Sequence, residues 1–224
     1  MSIDPETLRQ IEELSLDPRP LLVLDVDDVL LHFINPFPRF LEANGHELRM
    51  GSFRLTGNVF EKASGRPLEQ EQVRALLDAF FAAQAEWQTL HDGAAEALAE
   101  LRRGAEIVML TAMPHRFRDI RRAHLDALGL PYPLLTTEMA KGPAIARLRG
   151  DTSRPVAFVD DLPPNLVSAR EFVPDAHLFH LMVDERLRTL LPPVPAGVTL
   201  VQSWTQALPL IAEALGIQPM AART

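Results

Sequence analysis

The sequence predicts an α/β fold: a doubly wound, mostly parallel, Rossmann-like sheet with a small, mainly helical cap inserted after the first strand. Two observations support this prediction. Apolar strands and helices alternate after residue 90, and the first strand, "LLVLDV", is apolar throughout, as expected of a strand buried on both faces. Residues 33–90 interrupt the alternation. We therefore predict a core domain of residues 1–32 and 91–224 and a cap domain of residues 33–90.

The individual elements follow in chain order. Asp4-Pro5-Glu6 combines a capping residue with proline at a first helical position, which predicts a helix over residues 5–15. Residues 33–90 contain a glycine-punctuated loop and then a phenylalanine-rich helix. The core continues with helix "DGAAEALAELRRG", strand "EIVMLT", helix "RFRDIRRAHLDALG", strand "PLLTT", helix "GPAIARLRG", strand "PVAFVDD", helix "PPNLVSAREFV", strands "HLFHLM" and "GVTLV", and helix "WTQALPLIAEALG".

Composition excludes several classes of function. The formal net charge of -8 disfavours binding to nucleic acid or to an anionic membrane. The chain has no cysteine, which excludes disulfides and thiolate chemistry. The first twenty residues lack the apolar core of a signal peptide, and no stretch approaches the ~20 apolar residues that span a bilayer. We expect a cytoplasmic protein with no nucleic-acid or membrane partner, and the oligomeric state stays open.

Polar side chains stand where predicted strands end. Asp25 and Asp27 end the first strand, Thr111 ends "EIVMLT", and the pair Asp160-Asp161 ends "PVAFVDD". Lys141 opens the helix after "PLLTT". Because ligands of an open parallel sheet bind at the carboxyl ends of its strands, we expect these side chains to meet at one edge.

The chemistry of this set indicates a metal and a phosphoryl group. Clustered carboxylates repel one another unless a hard divalent cation lies among them, and oxygen ligands suit Mg²⁺. A lysine and a threonine are suited to the oxygens of a phosphoryl group that the cation also contacts. The sequence therefore predicts a site for Mg²⁺ and phosphate.

The same residues resemble the four motifs of the haloacid dehalogenase superfamily of phosphohydrolases. Asp25-Val26-Asp27-Asp28-Val29 is similar to its first motif, an apolar strand followed by Asp-x-Asp-x-Thr/Val. Thr111, Lys141 and Asp160-Asp161 match the second, third and fourth motifs in order. The resemblance covers residues 20–216. Asp28 stands where many members have glycine, which adds negative charge.

The resemblance implies a role for each residue. Asp25 is the expected nucleophile, and Asp27 the acid that protonates the leaving oxygen and later accepts a proton from water. Thr111 and Lys141 are expected to hold the phosphoryl oxygens. Metal ligands are expected from Asp25, from the backbone carbonyl of Asp27 and from Asp160, the preferred direct ligand of the last pair, with Asp161 a ligand or bound through water. Halide-displacing members lack the second acid, so Asp27 favours phosphoryl chemistry.

The resemblance also places specificity in the cap. The stretch between Thr111 and Lys141 has room for one helix and one strand only, so the cap is the insertion at residues 33–90. Caps of the family close over the substrate and exclude water. Its aromatic residues can stack on a flat group, although their spacing favours a small core of the cap itself; they are Phe37, Phe40, Phe53, Phe60, Phe80, Phe81 and Trp87.

Each residue also has an ordinary structural interpretation. Asp25 and Asp27 fit a solvated turn, Thr111 a helix cap and Lys141 a surface position, and one of Asp160-Asp161 fits a cap of the next helix. The basic residues Arg116, Arg118, Arg121 and Arg122 favour a solvated helix face. His32 and His115 are candidates to line the entrance of the site and to face the leaving group, although a lone histidine is usually structural.

Together these features predict a Mg²⁺-dependent phosphatase of a small phosphorylated metabolite. A nucleoside monophosphate and a sugar phosphate stay open as substrates. A phosphomutase or phosphotransferase shares the same residues but protects its aspartyl-phosphate from water. A catalytically silent binding protein is the alternative from another class, and the complete set of catalytic residue types argues against it. A protein phosphatase is disfavoured because a cap of this size obstructs a large substrate.

Overall fold

One six-stranded sheet organises the part of the chain that the structure, a computed structural model, describes: residues 2–15, 17–52, 54–182 and 190–217. The strands are β1 (Leu21–Leu24), β2 (His46–Leu48), β3 (Val59–Glu61), β4 (Glu106–Thr111), β5 (Leu134–Thr136), β6 (Val156–Asp160), β7 (His177–Leu181) and β8 (Val198–Val201). The sheet has the order β5-β4-β1-β6-β7-β8, and its neighbouring strands are parallel. This order confirms the predicted doubly wound sheet with β1 at its centre.

Helices cover both faces of the sheet. They are α1 (Pro5–Glu12), α2 (Pro36–Ala43), α3 (Gln70–Ala82), α4 (Gln84–Trp87), α5 (Ala94–Leu101), α6 (Arg118–Ala127), α7 (Gly142–Arg149), α8 (Pro163–Phe172) and α9 (Trp204–Ala214), with a short 3-10 helix at His115–Phe117. None of these described helices has the length and apolar character that crossing a membrane requires.

The period of two along β1 divides the core into two clusters. Leu22 and Leu24 pack on one face with side chains of α5 and α9. Leu21 and Val23 pack on the other face with side chains of α7 and α8. All four β1 side chains are fully buried, which explains the unbroken apolar run of this strand.

Helix α1 is shorter than predicted. The Asp4 side chain accepts hydrogen bonds from the backbone N–H groups of Glu6 and Thr7, as the sequence indicated. The helix ends at Glu12 instead of residue 15, because Leu14 N–H bonds to Ile11 O in a tighter closing turn. Thr7 Oγ1 donates to Thr136 O over 2.7 Å, which ties α1 to strand β5.

Residues 33–90, called here the inserted segment, contain more than the predicted loop and helix. Strands β2 and β3 form an antiparallel pair in which His46 faces Glu61, and α2 precedes them. The hairpin was missed because each strand has only three residues and little apolar alternation. The domain boundaries at residues 33 and 90 stay a prediction.

Most aromatic side chains of the inserted segment form its own core, as their spacing favoured. Phe37, Phe40 and Phe80 are buried and contact one another, with centroids of Phe37 and Phe80 5.2 Å apart. Trp87 packs edge-on against Phe40. Phe53 lies outside the described residues. These rings therefore stabilise the segment instead of stacking on a ligand.

Candidate active site

The central strand and its two neighbours bring three of the predicted residues to one edge. Asp25 follows the last residue of β1, Thr111 is the last residue of β4, and Asp160 is the last residue of β6. Strand β1 pairs with both β4 and β6 in register, so the three strand ends are adjacent. The polar residues meet at the carboxyl edge, as the sequence predicted.

Lys141 lies between two of the carboxylates. Its Nζ is 2.7 Å from Asp25 Oδ1 and 2.7 Å from Asp160 Oδ2, and its side chain is fully buried. Burial acts to lower the pKa of the Lys141 ammonium, but the charges of Asp160 and Asp25 outweigh burial and raise it. Lys141 is therefore a charged residue of the site and not a surface lysine.

The glycine after Lys141 allows this deep position. A Cβ atom on Gly142 would lie 2.2 Å from the backbone oxygen of Ser168 in α8. The Gly142 N–H donates to Ser168 Oγ over 3.0 Å. Only glycine permits so close an approach of α7 to α8, and this packing carries Lys141 into the core.

Three carboxylates form a candidate metal site. One oxygen each from Asp25, Asp160 and Asp161 lies within 4.8 Å of the others, and all three residues are buried. Burial raises the pKa of Asp161 well above its ordinary value, and the charges of Asp160 and Asp25 raise it further. Burial likewise raises the pKa of Asp25, against the effect of Lys141. The single positive charge of Lys141 does not neutralise three carboxylates. The carboxylate oxygens of the cluster are ligands that fit Mg²⁺.

The two acids that end β6 have different surroundings. Asp160 Oδ1 accepts from the Leu162 N–H over 2.8 Å and from Asn165 Nδ2 over 3.0 Å, while Oδ2 faces Lys141. Asp160 thus contacts the residue before α8 and the side chain of Asn165 in its first turn, but these bonds are not the helix cap that the sequence allowed for one of the pair. Asp161 instead lines the cavity beside Asp25. The choice of Asp160 as the direct ligand stays a prediction, since both acids belong to the carboxylate cluster.

Thr111 presents a hydroxyl without a partner. Its Oγ1 is buried and makes no hydrogen bond to the described residues, and Thr111 lines the same cavity as Asp25. A buried hydroxyl without a partner is costly, and a ligand oxygen would satisfy it. This fits the predicted contact with a phosphoryl oxygen and not the role of a helix cap.

Asp27 lies outside the carboxylate cluster. Its Oδ1 accepts from Arg121 Nη1 over 2.9 Å and from Gln88 Nε2 over 2.7 Å, and its Oδ2 lies 3.3 Å from Arg121 Nη2. The Asp27 side chain is 20% exposed and Arg121 is fully buried. The Asp27 side chain therefore lines the same cavity as Asp25 without joining the three-carboxylate cluster, and its backbone carbonyl as a ligand stays a prediction.

Arg121 and Gln88 are site residues that the sequence analysis missed. The prediction of a solvated face for the basic residues of α6 is wrong for Arg121. Phe117, Arg121 and Leu125 repeat every four residues and are buried, so Arg121 lies on the apolar face of the helix. This spacing was the available signal. Gln88 follows α4 and gave no comparable signal.

Asp28 occupies a conformation that glycine usually takes. Its φ is +55°, and its Oδ1 accepts from the N–H groups of Phe33 and Ile34 over 2.8 and 3.1 Å. The side chain thus fixes the first residues of the inserted segment to the loop after β1. The two hydrogen bonds therefore offset the steric cost of a left-handed backbone at a residue other than glycine.

Similarity to known structures decides the fold. No protein-family model and no curated protein sequence matches this chain. A HAD family hydrolase of Deinococcus radiodurans R1, solved with bound phosphate and sodium, matches 90% of this chain and 99% of its own at 14% identity and a TM-score of 0.59. A predicted phosphoglycolate phosphatase of Haemophilus somnus 129pt matches 88% and 100% at 14% identity and a TM-score of 0.61. YfnB of Bacillus subtilis, described as a HAD-hydrolase bound to magnesium, matches 90% and 100% at 14% identity and 0.59.

The chain has the haloacid dehalogenase-like fold. This confirms the fold that the four motifs implied. Within this fold, the structure places Asp25, Thr111, Lys141 and the Asp160-Asp161 pair at one edge of the sheet, and Asp27 beside them with its side chain on Arg121.

A cavity of about 340 Å³ opens beside the acids at this edge of the haloacid dehalogenase-like fold. The core contributes Asp25, Asp27, Thr111 and Asp161 to its wall, and the inserted segment contributes further lining residues. The inserted segment contacts the core beside the cavity, where the Phe81 and Phe117 centroids are 5.8 Å apart. Four of the predicted site residues therefore line a cavity of small-molecule size, and Lys141 and Asp160 lie behind them without lining it.

The two histidines considered from the sequence have structural partners. His115 Nδ1 lies 2.7 Å from Thr136 Oγ1 and its Nε2 lies 3.0 Å from Asp4 Oδ2, so His115 ties α1 to the core. The His32 ring lies 3.7 Å from that of His91. Neither histidine lines the cavity. The roles considered for them at the leaving group and at the entrance gain no support.

Proposed function

We propose that this chain is a Mg²⁺-dependent phosphatase that hydrolyses a small phosphate monoester through an aspartyl-phosphate on Asp25. One observation carries the proposal: Lys141 pairs with Asp25 in a buried carboxylate cluster that shares its cavity with the unpartnered Thr111 hydroxyl. Structures with the same fold that were solved with bound phosphate or magnesium support it.

In the first step, a carboxylate oxygen of Asp25 attacks phosphorus, and the bond from phosphorus to the ester oxygen breaks. The leaving oxygen takes a proton from Asp27. In the second step, water attacks the phosphoryl group, gives its proton to Asp27, and releases Asp25 and inorganic phosphate. Thr111 Oγ1 and Lys141 Nζ bind phosphoryl oxygens in both steps.

The surroundings of Asp27 indicate which of its oxygens carries the proton. Oδ1 accepts two hydrogen bonds, from Gln88 and Arg121, whereas Oδ2 has one longer contact to Arg121. A carboxylate oxygen has two lone pairs, so Oδ2 keeps a free position. We assign the proton transfer to Oδ2.

The candidate metal site completes the chemistry. Asp25 and Asp161 would hold Mg²⁺ directly together with the backbone carbonyl of Asp27, while Asp160 would position Lys141 and the cluster. When bound, Mg²⁺ supplies positive charge to the phosphoryl oxygens. Lys141 alone balances only part of the charge of the three acids.

The inserted segment acts as the cap in this proposal. Its Asp78 accepts from Arg116 Nη2 of the core over 2.6 Å, and Phe81 packs on Phe117. These contacts hold the inserted segment against the core beside the cavity that Asp25 lines. We propose that the cap admits a small substrate and excludes bulk water, protein and nucleic acid.

The test is release of inorganic phosphate from a panel of phosphate monoesters, measured with Mg²⁺ and with EDTA. We expect release that requires Mg²⁺ and that falls at least about 10⁴-fold in Asp25→Asn, because the nucleophile is lost. Asp92→Asn, a change at an exposed acid outside the site, is the matched control and retains activity. Release that survives in Asp25→Asn would refute the proposal, and substrate isomerisation without release would indicate a phosphomutase.

A further inference from the structure

The inserted segment gives the cavity a wall of unusual chemistry. Six of its residues that line the cavity are apolar: Phe33, Ile34, Met50, Leu55, Leu77 and Phe81. Of the described residues of the segment that line it, the polar ones are Arg74 and Asp78, and none is an asparagine, glutamine, serine or threonine. Sugar hydroxyls would find few hydrogen-bond partners on this wall.

Arg74 is available to a ligand. Its natural partner on α3 is Asp78, one turn further along, but Asp78 is bound by Arg116 across the interface to the core over 2.6 Å. In the described part of the chain, Arg74 makes no ion pair or hydrogen bond. Arg74, an exposed residue of α3, therefore adds to this wall a positive charge with no bonded partner among the described residues, since the other charged residue of the wall, Asp78, is bound by Arg116.

The aromatic rings of the wall leave no slot for a nucleobase. The centroids of Phe33 and Phe81 are 6.3 Å apart with an interplanar angle of 38°, so the rings contact each other. A flat group can lie against them but cannot be inserted between them. The cavity volume of about 340 Å³ lies at the lower end of the ~300–1,000 Å³ typical of ligand sites, which fits a small molecule.

We propose that the leaving group of the substrate is an apolar body, a single ring or a short chain, that carries a carboxylate, and that Arg74 binds this carboxylate. The inference rests on the proposed phosphatase function, since it assigns the phosphate to Asp25 and the leaving group to the cap wall. It disfavours the sugar phosphates and nucleoside monophosphates that the sequence left open.

The experiment measures binding apart from turnover. Asp25→Asn, in the presence of Mg²⁺, is titrated by calorimetry with 4-carboxyphenyl phosphate, phenyl phosphate and glucose 6-phosphate. We expect the carboxylate to tighten binding about tenfold relative to phenyl phosphate, as a charged hydrogen bond does. We expect glucose 6-phosphate to bind at least about tenfold more weakly than phenyl phosphate, because its hydroxyls lose water without gaining partners.

Two further variants test the role of Arg74. Adding Arg74→Gln to Asp25→Asn is expected to remove the roughly tenfold preference for 4-carboxyphenyl phosphate over phenyl phosphate. Adding Arg39→Gln, which removes the same charge from an exposed position of α2 outside the cavity, leaves the preference intact. Equal effects of the two variants, glucose 6-phosphate binding as tightly as phenyl phosphate, or no binding of any compound would overturn the inference.

Phosphate release by the wild type from the same three esters separates the two proposals. If the three esters bind in the expected order but none releases phosphate, the phosphatase function is refuted and the assignment of the ligand carboxylate to Arg74 is kept. Release with the opposite order of binding keeps the function and refutes the assignment.

Discussion

Arg121 Nη1 lies 2.9 Å from Asp27 Oδ1, and Arg121 Nη2 lies 3.3 Å from Asp27 Oδ2. The pair joins helix α6 to the loop after the central strand. Gln88 Nε2 donates to the same Asp27 oxygen over 2.7 Å and to His32 O over 3.1 Å, so the Gln88 amide joins this carboxylate to the start of the inserted segment. The orientation of the proposed acid therefore depends on the core and the inserted segment together.

Replacing Arg121 by lysine keeps the charge and loses the two-point contact. We expect kcat for phenyl phosphate to fall roughly 10- to 100-fold, because a misoriented Asp27 protonates the leaving oxygen poorly. The fall is smaller for 4-nitrophenyl phosphate, whose leaving group needs no proton. Steady-state kinetics of both esters measure this difference, with Arg122→Lys on the same helix as the control. An equal loss with both esters would show that Arg121 is only structural.

Replacing Lys141 by methionine leaves the buried acids Asp25 and Asp160 without their counter-charge. We expect the free energy of unfolding to fall by about 3–5 kcal/mol, the usual cost of breaking a buried ion pair from one side. Urea unfolding at pH 8 in EDTA measures it. Lys62→Met, at an exposed lysine of the inserted segment, is the control. Equal stabilities of the two variants would contradict the burial of charge at this site.

Asp28 allows the cost of a left-handed backbone to be separated from the gain of two hydrogen bonds. Asp28→Ala keeps the unfavourable φ and loses the contacts to Phe33 and Ile34, so we expect a destabilisation of about 2 kcal/mol. Asp28→Gly loses the same contacts without the strain, so we expect it to be about 1 kcal/mol more stable than the alanine variant. Thermal unfolding compares them, and an alanine variant as stable as the glycine variant would refute this account of Asp28.

The lowered pKa of the buried His91 leads us to expect that the free energy of unfolding depends on pH. Burial, and then the charge of His32, lower the pKa of His91 from 6.5 to about 4. Between these values the unfolded chain binds a proton that the folded chain does not, so the free energy of unfolding falls as pH drops through this window. The contribution is intact above pH 6.5, and the loss by pH 4 is up to about 3 kcal/mol.

The comparison of urea unfolding at pH 7.5 and pH 4.5 isolates this term. His91→Gln should lose less stability over that interval than the wild type, whereas His177→Gln, at an exposed histidine, should behave like the wild type. A pH dependence that is the same in His91→Gln and wild type would mean that other groups cause it.

The sheet, and most of the polar residues at the carboxyl ends of its strands, could be predicted from the sequence because they depend on local patterns. The apolar composition of "LLVLDV" indicates a buried strand. Parallel strands that are neighbours in the sheet bring their carboxyl ends together, and with them Asp25, Thr111 and Asp160. Lys141 was predicted by its position at a helix start. These features need no knowledge of how distant elements pack.

The missed features depend on packing across the fold. Arg121 becomes a partner of Asp27 only when α6 lies against the loop after β1, and Gln88 only when the inserted segment closes on the core. The positive φ of Asp28 is stabilised by the hydrogen bonds that its side chain accepts from the N–H groups of Phe33 and Ile34. Such contacts join residues whose proximity no local pattern indicates.

The central claim is that the phosphoryl group passes through Asp25, and trapping it there is the most direct test. Asp27→Asn should still accept a phosphoryl group from 4-nitrophenyl phosphate, whose leaving group needs no acid, but should lose it slowly because water lacks its base. In Asp27→Asn, rapid acid quench and peptide mass spectrometry should find one phosphoryl group on Asp25. The double variant Asp25→Asn/Asp27→Asn should carry none. A phosphoryl group on another residue, or phosphate release in the wild type without any phosphorylated Asp25 in the trap, would contradict the account.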